Sequence, residues 1–109
     1  LAISGSRSPK NFKYILFNNG AHESVGGQPT VGFNVDFPLA AKACGFAWTK
    51  SASTPEEISN EFESFLGTDC AAFLEIKIGT GSRSELGRPT VSPINVKENL
   101  IEFYKNESL

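Results

Sequence analysis

Short apolar runs alternate with helical patterns along this chain of 109 residues, and that order restricts its fold more than any other feature. We predict strands at residues 13–17, 46–49 and 71–78, because each is a brief apolar run bounded by polar or glycine residues. Helical patterns follow each of these runs. Since strands joined by helices form right-handed crossovers, the order predicts an α/β fold with a parallel sheet and helices on both faces.

The helix signals are strongest between the second and third predicted strands. Thr54 is suited to the N-cap, Pro55 to the first helical position and Glu57 to a capping box, and Gly67 ends the pattern. The predicted inward face consists of four apolar residues: Ile58, Phe62, Phe65 and Leu66.

Two further helices are predicted on either side of this segment. A shorter one covers residues 38–44 after Asp36, and a C-terminal one covers residues 95–105. The apolar spacing in the C-terminal helix predicts that Leu100, Ile101 and Tyr104 point inward. A parallel sheet of only three strands leaves edges and apolar faces uncovered, so we expect self-association or marginal stability.

Two long polar loops follow the first and third strands. We name residues 18–35 the first loop and residues 79–93 the second loop. Because the carboxyl ends of parallel strands share one edge of a sheet, the two loops are predicted to converge there. Both exceed the usual length of a connection, which favours a functional role. Asparagine and backbone oxygens suit Mg²⁺, and glycines allow close approach of an anion, so the first loop is interpreted as a metal-assisted diphosphate site.

The composition excludes several other classes of protein. A net charge of −2, a pI near 5.4 and only three arginines argue against a nucleic-acid surface. No run approaches the roughly 20 apolar residues of a membrane span, so no membrane association is predicted. Cys44 and Cys70 stand far apart, which favours reduced thiols and a cytoplasmic location.

An apolar strand ending in Asn18-Asn19-Gly20 resembles the second half of the metal and diphosphate motif of thiamine diphosphate enzymes. The run His-Glu-Ser-Val-Gly-Gly-Gln-Pro-Thr at residues 22–30 and the arginine-containing run at residues 81–90 are more specifically similar to the phosphonopyruvate decarboxylases, over nearly the whole chain. The sulfopyruvate decarboxylases are the nearest competing family. A different class of hypothesis is a non-catalytic α/β module that binds a phosphate-bearing ligand or a partner chain.

The resemblance implies that residues 1–109 form the carboxyl-terminal part of a diphosphate-binding domain, an incomplete thiamine diphosphate-binding fold. The Gly-Asp-Gly half of the motif and the pyrimidine-binding domain would lie upstream. The complete protein would convert phosphonopyruvate, a small 2-oxo acid, to phosphonoacetaldehyde and CO2 in phosphonate biosynthesis. It would use thiamine diphosphate and Mg²⁺ and act as a homo-oligomer with its active site at a subunit interface. We therefore expect residues 1–109 alone to be inactive.

The same resemblance assigns cofactor roles within the first loop. Asn19 would bind Mg²⁺ through its side-chain oxygen and Ala21 through its backbone carbonyl, while Gly20 and His22 would also contact the cofactor. Asn18 is expected to brace the turn. His22, the single histidine, is the candidate catalytic residue, and the alternative is a solvated loop side chain. Glu23 is a weaker candidate, because a carboxylate repels an anionic substrate.

A second group of residues is predicted to bind the substrate anion. Arg83 and Arg88 carry planar guanidinium groups that suit a phosphonate or sulfonate, and Gln28 and Thr30 supply further donors. The alternative for Arg88 is an ion pair with Glu85 at a subunit interface.

Overall fold

The computed structural model describes residue 7, residues 9–87 and residues 89–107. The strands in these ranges are β1 (Lys13–Asn18), β2 (Ala21–His22), β3 (Gln28–Pro29), β4 (Trp48–Ala52) and β5 (Ala72–Lys77). The helices are α1 (Phe37–Ala43), α2 (Pro55–Gly67) and α3 (Pro93–Glu107), and a short 3-10 helix covers Glu23–Val25.

The main sheet of the described chain contains three parallel strands in the order β1-β5-β4. Leu74 at its centre lies opposite Ile15 on β1 and Lys50 on β4. The predicted α/β fold with a parallel sheet is therefore confirmed. The second predicted strand corresponds to β4, which begins at Trp48 rather than at Phe46. The Phe46 N–H donates to the Ala41 carbonyl, so Phe46 belongs to the turn that leaves α1.

Helices cover both faces of this sheet, as predicted. Successive β5 side chains point to opposite faces, so Phe73 and Leu74 enter separate clusters. The first cluster contains Phe73, Ala41, Phe46 and Ala71 on the α1 side. The second contains Leu74, Ala52, Phe65, Ala72 and Ile76 on the α2 side.

The predicted capping box of α2 is present. The Thr54 hydroxyl accepts the Glu57 N–H at 3.2 Å, and the Glu57 carboxylate accepts the Thr54 N–H at 3.2 Å. The prediction for the inward face of α2 is partly wrong. Phe65 is buried and Ile58 packs beside it, whereas Leu66 is 57% exposed and Phe62 is also exposed. The helix packs on β4 and β5, and this narrow surface covers only part of the apolar face.

The α1 helix begins one residue before the predicted start, and Asp36 is its N-cap. The Asp36 carboxylate accepts the Leu39 N–H at 2.9 Å, which satisfies one of the free donors at the helix start. This cap places residues 31–36 of the first loop beside the carboxyl edge of the sheet.

The α3 helix is longer than predicted, and its predicted burial is wrong. Leu100 is 54% exposed, and Ile101 and Tyr104 are exposed as well. The Ser92 hydroxyl accepts the Asn95 N–H at 3.2 Å and caps the helix start. The apolar spacing marked a face of α3, but spacing does not specify which surface covers that face.

None of the helices in the described ranges is both long enough and apolar enough to cross a membrane.

Two leucines provide a matched test of the core. Leu74→Ala is expected to lower the free energy of unfolding by about 2–5 kcal/mol, because it opens a cavity under α2. Leu66→Ala should lower it by less than about 1 kcal/mol, because Leu66 is largely exposed. Urea denaturation followed by the fluorescence of Trp48, which packs against Phe65, measures both. Equal losses would contradict the assignment of the α2-side core.

Candidate functional site

The first loop leaves β1 through a turn that the buried Asn18 side chain holds. Asn18 Oδ1 accepts the Gly20 N–H at 3.1 Å, and Asn18 Nδ2 donates to the Gly32 carbonyl at 2.9 Å and to Glu75 Oε1 at 2.7 Å. The predicted bracing role of Asn18 is confirmed. Both ends of the Asn18 amide are engaged inside the protein, and the residue is only 7% exposed.

Two glycines make this turn close enough to pack. Gly20 has a φ of 66°, and a Cβ there would collide with the ring of Phe33. A Cβ on Gly32 would lie 2.6 Å from Asn18 Oδ1. The turn therefore requires glycine at both positions. Gly20 is needed for its positive φ and for space, whereas Gly32 is needed for space alone.

Asn19 directs its amide nitrogen and its amide oxygen to different partners. Nδ2 donates to Glu23 Oε2 at 2.6 Å, while Oδ1 accepts the Ala21 N–H at 3.1 Å. A carbonyl oxygen has two lone pairs, so Oδ1 retains one for a further partner. The contact with Glu23 thus orients the oxygen that the resemblance assigns to Mg²⁺.

The backbone carbonyl of Ala21 lies between two carbonyls that are already engaged. Gly20 O accepts the Thr30 N–H at 2.8 Å, and His22 O accepts the Gly27 N–H at 2.9 Å. Ala21 itself lies opposite Pro29 in the antiparallel pair of β2 and β3. Proline has no N–H, so the residue opposite Ala21 cannot donate to its carbonyl.

The oxygens of Asn19 and Ala21 fit a hard cation by their chemistry. Within the ranges that the structure describes, no three His, Cys, Asp or Glu side chains are grouped to hold a metal ion.

His22 lies on β2 opposite Gln28, and both side chains are exposed. The 3-10 helix begins at the next residue, so His22 stands at the rim of the turn rather than inside it. Its catalytic role and its cofactor contact stay predictions, as does the cofactor contact of Gly20.

The two loops meet, as predicted. The Gly81 N–H of the second loop donates a short hydrogen bond to Glu23 Oε1, and the other oxygen of the same carboxylate accepts from Asn19. Glu23 therefore joins the second loop to the proposed metal ligand. The sequence reasoning considered Glu23 only as a group facing the substrate and missed this linking role.

The structure describes three of the four residues predicted to bind the substrate anion. Arg83 lines a cavity of about 480 Å³ whose other described lining residues also belong to the second loop. Gln28 and Thr30 lie on the first loop, where the Thr30 hydroxyl accepts the Gly32 N–H at 3.0 Å. Arg88 lies outside the described residues. The roles of these four residues stay predictions.

The sequence reasoning also missed Glu75, which is only 1% exposed on the central strand β5. Its carboxylate accepts from Asn18 and, at 2.8 Å, from the Ser51 hydroxyl. It forms part of the wall of a cavity of about 540 Å³ at the carboxyl edge. The available signal was a single acidic residue inside the apolar run at residues 71–78.

These features define an α/β protein with a candidate ligand site at the carboxyl edge of a parallel sheet, where one loop presents amide and carbonyl oxygens. No model of a known protein family matches the chain. The chain is similar to the phosphonopyruvate decarboxylase of Streptomyces viridochromogenes, with 34% identity over 103 residues. It is also similar to the phosphonopyruvate decarboxylase of Streptomyces hygroscopicus, with 33% identity over 103 residues.

The predicted resemblance to phosphonopyruvate decarboxylase is confirmed by these matches. Each covers 94% of this chain and 26% of the relative. The chain thus spans about a quarter of the length of the curated relatives it matches.

The contact between the loops generates a test at Glu23. Glu23→Ala is expected to speed amide hydrogen exchange at Gly81 at least tenfold, because it removes the acceptor of that N–H. Glu85→Ala is the matched control, since it removes an exposed carboxylate from the second loop, which also contains Gly81. Mass spectrometry or NMR measures the rates. Unchanged exchange at Gly81 in Glu23→Ala would contradict the link between the loops.

Proposed function

We propose that this chain is part of a decarboxylase that converts phosphonopyruvate to phosphonoacetaldehyde and CO2. The observation that carries the proposal is the Asn18–Gly20 turn. It leaves one lone pair of Asn19 Oδ1, together with the Ala21 carbonyl oxygen, at the carboxyl edge of the sheet, where the sequence motif resembles a diphosphate site. The names of the two Streptomyces relatives, which match nearly all of this chain, support the same activity.

In this proposal Asn19 and Ala21 hold Mg²⁺, which neutralises the diphosphate of thiamine diphosphate. Gly20 contacts the cofactor through its backbone, and His22 contacts it from the edge of the turn. The electron sink for the loss of CO2 comes from thiamine diphosphate when it is bound. The protein contributes orientation of the reactants and exclusion of water.

The second loop supplies the recognition of the substrate anion. A phosphonate carries up to two negative charges, and a guanidinium group binds it through two parallel hydrogen bonds. We propose that Arg83 and Arg88 provide these donors, with Gln28 and Thr30 from the first loop. The Gly81–Glu23 contact supports this arrangement, because it connects the arginine-containing loop to the proposed metal site.

The proposed enzyme needs more than these 109 residues. We infer that residues 1–109 are the carboxyl-terminal part of the diphosphate-binding domain of a cytoplasmic homo-oligomer, whose active site lies at a subunit interface. The exposed apolar side chains support this inference. Phe17 on β1 is 63% exposed, and Leu100, Ile101 and Phe103 on α3 are also exposed, as expected of surfaces that further parts of an assembly cover.

The complete protein should release CO2 from phosphonopyruvate in the presence of Mg²⁺ and thiamine diphosphate. Sulfopyruvate is the closest competing substrate, because it is nearly isosteric and differs mainly in charge. Arg83→Ala and Arg88→Ala are each expected to lower kcat/KM for phosphonopyruvate about 10- to 100-fold, the cost of about 1.5–3 kcal/mol for a lost charged hydrogen bond. Initial rates of CO2 release with phosphonopyruvate, sulfopyruvate and pyruvate measure the preference.

Arg7→Ala is the matched control, since it removes the third arginine, which is exposed and lies outside both loops. It should leave kcat/KM unchanged. Residues 1–109 alone should release no CO2 above background. Faster turnover of pyruvate or sulfopyruvate than of phosphonopyruvate would contradict the substrate assignment, and no turnover of any of the three would contradict the decarboxylase assignment.

The role of Asn19 is tested by the dependence of activity on Mg²⁺. In the complete protein, Asn19→Ala should raise the Mg²⁺ concentration for half-maximal CO2 release at least tenfold, because it removes one oxygen ligand. Asn60→Ala removes an exposed asparagine from α2 and should leave that concentration unchanged. The same Mg²⁺ dependence in Asn19→Ala and the unmodified protein would exclude Asn19 as a ligand.

A further inference from the structure

Glu75 is a buried carboxylate at the carboxyl edge of the main sheet. It occupies the central strand β5 between Leu74 and Ile76, which both pack beneath α2, and it points to the other face of the sheet. Only 1% of its surface is exposed. A buried carboxylate is costly unless it is well hydrogen-bonded, so an apolar residue would serve the core better. The position therefore calls for an explanation other than packing.

The Glu75 carboxylate connects all three strands of the main sheet. Oε1 accepts from Asn18 at the end of β1 at 2.7 Å, and Oε2 accepts from Ser51 on β4 at 2.8 Å. Neither ion pair in the described part of the chain, Lys10–Asp69 or Lys50–Glu61, includes it. The charge of Glu75 is thus held by neutral donors at the carboxyl ends of its two neighbouring strands.

The contact with Asn18 determines which way the Asn18 amide points. A carboxylate accepts hydrogen bonds and repels another oxygen, so Asn18 must present Nδ2 to Glu75. This orientation leaves Oδ1 to accept the Gly20 N–H, and the second N–H of Nδ2 reaches the Gly32 carbonyl. With the amide reversed, both contacts would place like atoms together. Glu75 therefore acts together with Gly20 and Gly32 to fix the conformation of the turn that presents Asn19 and Ala21.

We propose that Glu75 is a positioning residue for the cofactor site, acting through Asn18 on the oxygens of Asn19 and Ala21. The inference rests on the proposed function for the identity of the ligand, which is Mg²⁺ with thiamine diphosphate. Its structural part, the control of the Asn18–Gly20 turn, is independent of any ligand.

The first experiment measures hydrogen exchange in the complete protein without cofactor. Glu75→Ala should speed exchange of the Gly20 and Thr30 amides at least tenfold, because both belong to the turn. Glu75→Gln keeps the acceptor for Asn18 and should stay within threefold of the unmodified protein. The Thr68 amide at the end of α2 is the internal control and should not change. Equal acceleration at Thr68, or none at Gly20 and Thr30, would overturn the proposal.

A second pair of variants keeps the test valid if Glu75→Ala does not fold. Asn18→Asp is isosteric but sets two carboxylates against each other, so it should speed exchange at Gly20 and Thr30 by a similar factor. Adding Glu75→Gln to Asn18→Asp restores a donor facing an acceptor, while the new carboxylate still faces the Gly32 carbonyl. The double variant should therefore recover part of the change on a logarithmic scale. If the double variant recovered none of the change, the contact between Asn18 and Glu75 would not be the cause of the faster exchange.

The last experiment measures the affinity of the complete protein for Mg²⁺ in the presence of thiamine diphosphate. Glu75→Ala should weaken it at least tenfold, whereas Glu75→Gln and the control Glu63→Ala, which removes an exposed carboxylate from α2, should each stay within threefold. If the affinity for Mg²⁺ fell in all three variants in proportion to their loss of stability, the positioning role would be overturned. If the unmodified protein binds no Mg²⁺ with thiamine diphosphate, the proposed function fails, while the exchange measurements still decide the role of Glu75.

Discussion

The fold depends on the pairing of β5 with strands on both of its sides. β1 and β4 each pair with β5 and not with each other, so β5 provides the only hydrogen-bonded connection between them in the described chain. Its side chains also divide the core, since Phe73 packs on the α1 side and Leu74 on the α2 side. A strand buried on both faces is typical of a parallel sheet, and its burial anchors both layers of helices.

The same strand organises the candidate site. Parallel pairing brings the ends of β1, β4 and β5 to one edge, and Glu75 joins them there through Asn18 and Ser51. Glu23 makes a second connection, at the surface of the two loops, by accepting hydrogen bonds from Asn19 and Gly81. One carboxylate is buried and one is exposed, and the hydrogen bonds that they accept come from backbone, amide or hydroxyl groups. Both acidic residues thus shape the loops that would receive an anionic ligand.

Two observations, the similarity to two phosphonopyruvate decarboxylases and the geometry of the turn, indicate that the candidate site is only partly contained in this chain. The relatives are about four times as long as this chain, and the proposed metal site has two oxygens where a cation needs about six ligands. The exposed apolar residues of β1 and α3 agree with that difference in length. We interpret the described residues as one side of a site whose other ligands and catalytic groups come from elsewhere in the assembly.

The sequence by itself determined the order of the three main strands and the three α-helices, the capped start of α2 at Thr54 and the polar loops at the carboxyl edge, but not the short β2–β3 pair within the first loop. These features depend on local patterns, namely apolar periodicity, capping residues and glycine. Only the tertiary structure decided that Leu66 and Leu100 are exposed, and that Glu75 and Glu23 hold the turn and join the loops. Periodicity identifies an apolar face but not its partner. A hydrogen bond between residues 57 or 58 positions apart depends on strand register and loop path, which no local pattern encodes.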